Sequence, residues 1–222
     1  LAFILNIETA TKNCSVSVAE NGKTIALKEY NDGGYSHAEK LHKFIKEVCE
    51  QSNIELSQLA AVAVSKGPGS YTGLRIGVSA AKGLCFALNL PLISIHTLEA
   101  LANTIETENK VVIPLLDARR MEVYCAIFKN GKTVEKVSAK IIDENSFSEY
   151  LVESKVYFVG DGAEKCKSIL KSENAIFIDD KFPSANEMSE LSFYKYKKND
   201  IEDVAYFEPF YLKDFVTTVS KK

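Results

Sequence analysis

Residues 66 to 75 read Lys-Gly-Pro-Gly-Ser-Tyr-Thr-Gly-Leu-Arg. Backbone N–H groups at a helix start attract anions, so a glycine-rich turn leading into a helix could cradle a phosphate. The spacing fits neither of the best-defined cradles. A Walker A loop needs Gly five residues after its first Gly and then Lys, but Thr72 and Gly73 stand there; the dinucleotide fingerprint loses its third Gly to the same Thr72. Turn chemistry gives the favoured reading. Pro68 fixes φ at the first central position of a type II turn, Gly69 supplies the positive φ at the second, and Ser70 or Thr72 caps the helix that follows.

Two hairpin turns and one strand-to-helix turn could also approach a nucleotide. Glu8-Thr9-Ala10-Thr11-Lys12-Asn13 and Asp117-Ala118-Arg119-Arg120-Met121-Glu122 both lack glycine, which makes their N–H groups hard to aim at phosphate. Val159-Gly160-Asp161-Gly162-Ala163 keeps a strand, glycine turn and helix order, but Asp161 and Glu164 repel an anion. The pattern predicts no robust ATP hydrolysis. Three histidines are present. His37 and His42 stand about 140° apart around a helix and share no face. His96 could open an H-x-x-x-H metal site, but Ala100 occupies the partner position, so a structural role is favoured for it.

The chain has 222 residues, 46% hydrophobic and 26% charged, with 27 basic against 30 acidic side chains. This balance gives no positive field of the kind that drives nucleic-acid binding. Five scattered cysteines without a C-x-x-C pair predict neither a disulfide framework nor a zinc site, and point to a reducing, cytoplasmic compartment. No apolar run is long enough for a membrane helix, and residues 1 to 7 read as an opening strand rather than a signal peptide.

The elements that would position these residues follow from periodicity. Strands are predicted at 2–8, 13–20 and 23–30, the last two joined by Asn21-Gly22, a type I′ hairpin signal. Ser36, with Glu39 three residues on, is placed as the cap of an amphipathic helix carrying Leu41, Phe44, Ile45 and Val48. A buried strand at 59–64, a helix at 72–89, a strand at 92–95 and a short helix capped by Thr97 complete the first half. The polar stretch 104–110 divides the chain into predicted subdomains 1–106 and 107–222. The second half repeats the plan: strands at 111–116, 122–128 and 133–142 with Asn130-Gly131 between the last two, then helix 143–152, strand 156–159, helix 163–170, strand 175–178 and helix 184–197. Two halves of this kind predict an α/β class with a duplicated actin-like (ASKHA, ribonuclease H-like) fold in two subdomains.

The helix at 72–89 has small residues, Gly73, Gly77, Ala80, Ala81 and Gly83, on several sides and is apolar around most of its circumference. Each interior glycine costs roughly 1 kcal/mol relative to alanine, so close packing must offset that cost, and a helix apolar all round needs cover on more than one face. Either a second layer of this chain or another protein must supply it; a subunit interface is the favoured reading.

Taken together, I-E-T-x-x-x-x-C-S-V (7–16), S-H-A-E-K-L (36–41), K-G-P-G-S-Y-T-G-L-R-I-G (66–77), D-A-R-R-M-E-V-Y (117–124), V-G-D-G-A (159–163) and E-P-F-Y-L (208–212) resemble the TsaB (YeaZ) family nearly end to end. The resemblance implies a duplicated actin-like fold, a cytoplasmic location and no cofactor or metal. It implies a non-catalytic subunit that scaffolds and activates the TsaD catalytic protein, with the small ATPase TsaE, in making N6-threonylcarbamoyladenosine at position 37 of tRNAs reading ANN codons. The tRNA would be met only through the complex. Pairing through the two N-terminal helices, as a homodimer when isolated or with TsaD, would place His37, Leu41, Phe44, Leu74, Gly77, Val78 and Ala81 at the contact. A vestigial nucleotide contact would fall on Glu8, Thr9, Gly67, Gly69, Ser70, Gly160 and Gly162; Glu8 stands where Asp is more usual. The alternative is an actin-like ATPase or kinase, or a metallopeptidase of the M22 type.

Overall fold

A computed structural model of the chain describes residues 1–34, 36–106 and 108–213. Its first sheet opens with an antiparallel meander, β1 (Phe3–Glu8), β2 (Cys14–Glu20) and β3 (Lys23–Tyr30). Asn21 (φ 50°) and Gly22 (φ 88°) both take positive φ, as a type I′ turn demands. β4 (Leu59–Gly67) then adds parallel to β1, and β5 (Leu92–His96) parallel to β4. The order is β3-β2-β1-β4-β5.

Strand alternation divides the two faces of this sheet. Leu5 and Ile7 point into one core with Leu41, Phe44, Ile45 and Val48 of α1 (His37–Ser52) and with Val78, Ala81 and Cys85 of α2 (Tyr71–Leu88). Ile4 points the other way, into a core shared with Met188. Period-2 alternation therefore buries β1 on both sides.

The second sheet repeats the plan. β6 (Val111–Asp117), β7 (Glu122–Lys129) and β8 (Lys132–Ile141) form the meander, and β9 (Val156–Val159) and β10 (Ala175–Ile178) extend it parallel to β6. The order β10-β9-β6-β7-β8 is the first order read from the other edge. Its helices are shorter than the apolar spacing predicts. α4 spans Ser148–Glu153 because Asp143 and Ser146 tie the preceding residues into a turn and Phe147 sits at positive φ (62°). α5 spans Ala163–Lys167.

The third helix of each half crosses over. α3 (Thr97–Ala102) turns Leu98, Leu101 and Ala102 into a core with Val112, Leu116 and Phe128 of the second sheet. α6 (Ala185–Lys197) lies on β1 and β2 of the first. α6 is fastened by a polar seam: the Asn6 amide donates to Ser17 Oγ at 3.2 Å and Ser189 Oγ at 3.4 Å, and the Ser17 hydroxyl donates to the Ala185 carbonyl at 2.8 Å. The chain beyond α6 also returns to the first sheet, where Glu202 bridges Leu92. No helix among the described residues is long and apolar enough to cross a membrane.

Candidate functional site

The glycine-rich turn between β4 and α2 differs from the type II turn that its sequence predicts. Gly67, not Gly69, carries the positive φ (111°), and the Gly67–Pro68 peptide is cis. Gly69 is required for a different reason: a Cβ there would lie 2.4 Å from the Ala10 carbonyl oxygen, which accepts the Ser70 N–H at 2.7 Å. Ser70 caps α2, its hydroxyl accepting from Gly73 N–H. The amides of Ser70 and Gly73 are thus already engaged by the chain itself.

The same closeness continues along α2. A Cβ on Gly73 would fall 2.1 Å from the Thr9 carbonyl, and one on Gly77 would fall 2.2 Å from Thr9 Oγ1. Thr9 Oγ1 donates to the Gly73 carbonyl at 2.8 Å. His37, in the first turn of α1, lies against Gly73 and places Nε2 at 2.7 Å from the Thr11 carbonyl. Burial lowers its pKa, partly opposed by that contact. Ser36 occupies the cap position of α1 but makes no side-chain cap bond, contrary to the expected capping box.

Glu8, Thr9, Gly67, Gly69 and Ser70 therefore meet at one place, where β1 and β4 end. Glu8 is fully buried; Oε1 accepts the Ala10 N–H at 2.6 Å and Oε2 has no partner among the described residues. Loss of hydration pushes its carboxyl up to about 7, against the pull of the Ala10 amide. Gly160 and Gly162 lie in the second lobe, where they admit the carbonyls of Leu115 and Leu116. Asp161 between them accepts from the Asp117 amide and is raised by burial.

His96 stands at the end of β5 with the Phe210 ring edge-on at 5.7 Å. Burial and the Lys66 charge lower its pKa to about 4, so it is neutral near pH 7. It is the cap residue of α3 in place of Thr97, whose hydroxyl instead pairs with Ser65 at 2.7 Å. Among the described residues no three His, Cys, Asp or Glu side chains converge as a metal site would need.

His37, Leu41, Phe44, Leu74, Gly77, Val78 and Ala81 are all buried within the protomer. They form the inner wall of the α1–α2 layer. The outer wall of α2 is Thr72, Arg75, Ser79, Gly83 and Phe86, spaced by three and four residues and all exposed, hence on one face. Phe86 is 86% exposed, and a Cβ on Gly83 would meet nothing within 4 Å. On one flank of this strip Leu84 joins His42, Ile45 and Cys49 around a groove of about 650 Å³. On the other, Tyr71 packs against Tyr211 with the rings tilted by 32° and their centres 4.9 Å apart, and Lys82 holds the carbonyls of Ala205 and Phe207. The apolar circumference of α2 predicts cover on more than one face, with a subunit interface favoured; on this flank the chain's own tail supplies it instead. The E-P-F-Y-L run was the signal that could have located that cover.

Two sheets of like topology, each opened by a hairpin meander and exchanging their third helices, define a duplicated ribonuclease H-like, actin-like protein. A family model described as TsaD, tRNA N6-adenosine threonylcarbamoyltransferase, matches residues 33–220. The TsaB protein of Haemophilus influenzae is 29% identical over 96% of this chain and 94% of its own length. That of Buchnera aphidicola subsp. Schizaphis graminum is 30% identical over 88% and 95%. A Pseudomonas aeruginosa structure described as similar to peptidase YeaZ superposes with a TM-score of 0.83 at 22% identity, covering 96% of this chain and all of that one. The chain belongs to the TsaB (YeaZ) family of tRNA threonylcarbamoyladenosine biosynthesis proteins.

Proposed function

We propose that this chain is a non-catalytic subunit that pairs with a TsaD-like catalytic protein, and through it with a TsaE-like ATPase, in threonylcarbamoylation of tRNA. The observation that carries the reading is the contrast among the glycines of α2. Gly73 and Gly77 are consumed by contact with Thr9, whereas Gly83 faces open space beside an almost wholly exposed Phe86. A helical glycine with no neighbour costs stability and gains nothing inside the protomer. Close approach of a second helix would give it a use. The buried set from His37 to Ala81 then acts from beneath, holding α1 and α2 at the separation a partner meets. In the absence of the partner, the same face pairs two copies. The closed glycine turn supports a subunit without nucleotide chemistry of its own, because the Ser70 and Gly73 amides are taken by Ala10 and Ser70.

Co-purification with a TsaD-like protein tests this. Phe86→Asp leaves the buried core untouched and is expected to abolish capture. Full capture by a folded Phe86→Asp chain would overturn the reading. Sustained nucleotide turnover by the isolated chain, or stoichiometric metal at His96, would favour the alternative of an active kinase-like or peptidase-like enzyme.

A further inference from the structure

The segment after α6 builds a hydrogen-bonded turn on the flank of α2. Asp203 Oδ1 accepts the N–H groups of Ala205 at 2.8 Å and Tyr206 at 3.2 Å, and the Phe207 N–H donates to the Asp203 carbonyl at 2.8 Å. At the other end, Lys82 Nζ donates to the carbonyls of Ala205 at 3.1 Å and Phe207 at 2.9 Å. Asp203 thus closes the start of the turn and the Lys82 ammonium binds the carbonyls at its end. Val204 and Phe207 pack beneath it on the first core. Three residues on, the Phe210 N–H donates to the Lys66 carbonyl at 2.7 Å, so the segment is fastened on both sides of the turn.

With its polar groups engaged and its underside packed, the turn still leaves Tyr206 84% exposed. Its backbone is held while its ring stands in water. Lys82 lies one helical turn from Phe86, so the two most exposed rings of this region border the same stretch of α2. A side chain whose backbone is already held has less freedom left to lose on burial, and aromatic rings carry a large share of interface energy.

We propose that Lys82 is a positioning residue which holds the 203–207 turn so that Tyr206 and Phe86 form one partner-facing surface. This rests on the proposal that the outer strip of α2 meets the TsaD-like subunit, and it extends the contact to the tail. Lys82 acts through the turn, and Tyr206 makes the contact.

The test measures affinity of the full-length chain for the TsaD-like protein by calorimetry, with hydrogen exchange at the Phe207 amide as a readout of the turn. Tyr206→Ser is expected to weaken association about tenfold or more, as truncation of a central interface aromatic does. Lys82→Met is expected to do the same and to speed exchange at Phe207; Lys82→Arg, which keeps the donors, restores both. The double variant Lys82→Met, Tyr206→Ser should lose no more than either single one, because one acts through the other. Unchanged affinity in Lys82→Met or Tyr206→Ser, with Phe86→Asp still disruptive, would overturn this inference alone; additive losses would overturn the positioning role. Unchanged affinity in Phe86→Asp would overturn the α2 surface itself, and this inference with it. Should Lys82→Met fail to fold, Tyr206→Ser, fully solvent-facing, still decides the outcome.

Discussion

The hydroxyl of Thr9 occupies the place where a side chain on Gly77 would begin: a Cβ at residue 77 would lie 2.2 Å from Thr9 Oγ1. The two residues belong to different elements, the β1–β2 turn and the middle of α2, and their contact sets how closely the helix lies on the sheet. Gly73 repeats the contact one turn earlier, against the Thr9 carbonyl.

Gly77→Ala is therefore expected to destabilise the fold, because overpacking typically costs about 1–3 kcal/mol and outweighs the propensity gain of roughly 1 kcal/mol. Thr9→Ala in the same chain should relieve Gly77→Ala, since it removes Oγ1, but not Gly73→Ala, whose obstacle is backbone. Urea unfolding of the four combinations decides; equal relief at both glycines would refute the geometry.

Gly83→Ala should behave in the opposite way. With nothing within 4 Å of the added methyl, the substitution recovers helix propensity worth up to about 1 kcal/mol and raises the thermal midpoint. A lowered midpoint in a monomeric sample would show that Gly83 is packed.

Glu8 makes stability fall with rising pH. Its folded pKa, about 7, is raised from 4.5 by burial, so its contribution is fully present below 4.5 and is lost as pH rises through 7. The shift corresponds to a loss on the order of 3 kcal/mol. His96 acts in the opposite direction: lowered from 6.5 to about 4, it costs stability as pH falls through that window. The two offset each other in the wild type, and the difference between Glu8→Gln and wild type isolates the carboxyl. That difference should grow in favour of Glu8→Gln from pH 5 to pH 8; a pH-independent difference would mean that Glu8 is not held in its acid form.

All five cysteines are free and buried, and burial pushes the thiols of Cys14, Cys85 and Cys166 up to about 11. The thiolate is the reactive form. A disulfide reagent at pH 8 is expected to titrate no thiol in the folded chain and five after denaturation. Rapid labelling of the native protein would place at least one of them at the surface.

Much of this fold was determined locally and is legible in the residues themselves. Asn21-Gly22 and Asn130-Gly131 supply adjacent positive-φ positions wherever they occur, so both hairpins are specified by two residues each. The spacing of Leu41, Phe44, Ile45 and Val48 names the buried face of α1 before any partner is known, and the repeated order of strands and helices announces two similar halves. What tertiary structure alone decided depends on residues far apart in the chain. Thr9 and Gly73 are 64 positions apart and Lys82 and Phe207 are 125 apart. No local pattern shows that the first pair excludes a side chain or that the second covers a helix flank. Gly67 rather than Gly69 takes the positive φ, and α3 and α6 cross to opposite sheets. Local propensity fixes which backbone shapes a segment can adopt, but which surfaces meet follows from three-dimensional closure of the whole chain, and the roles of these glycines follow from it.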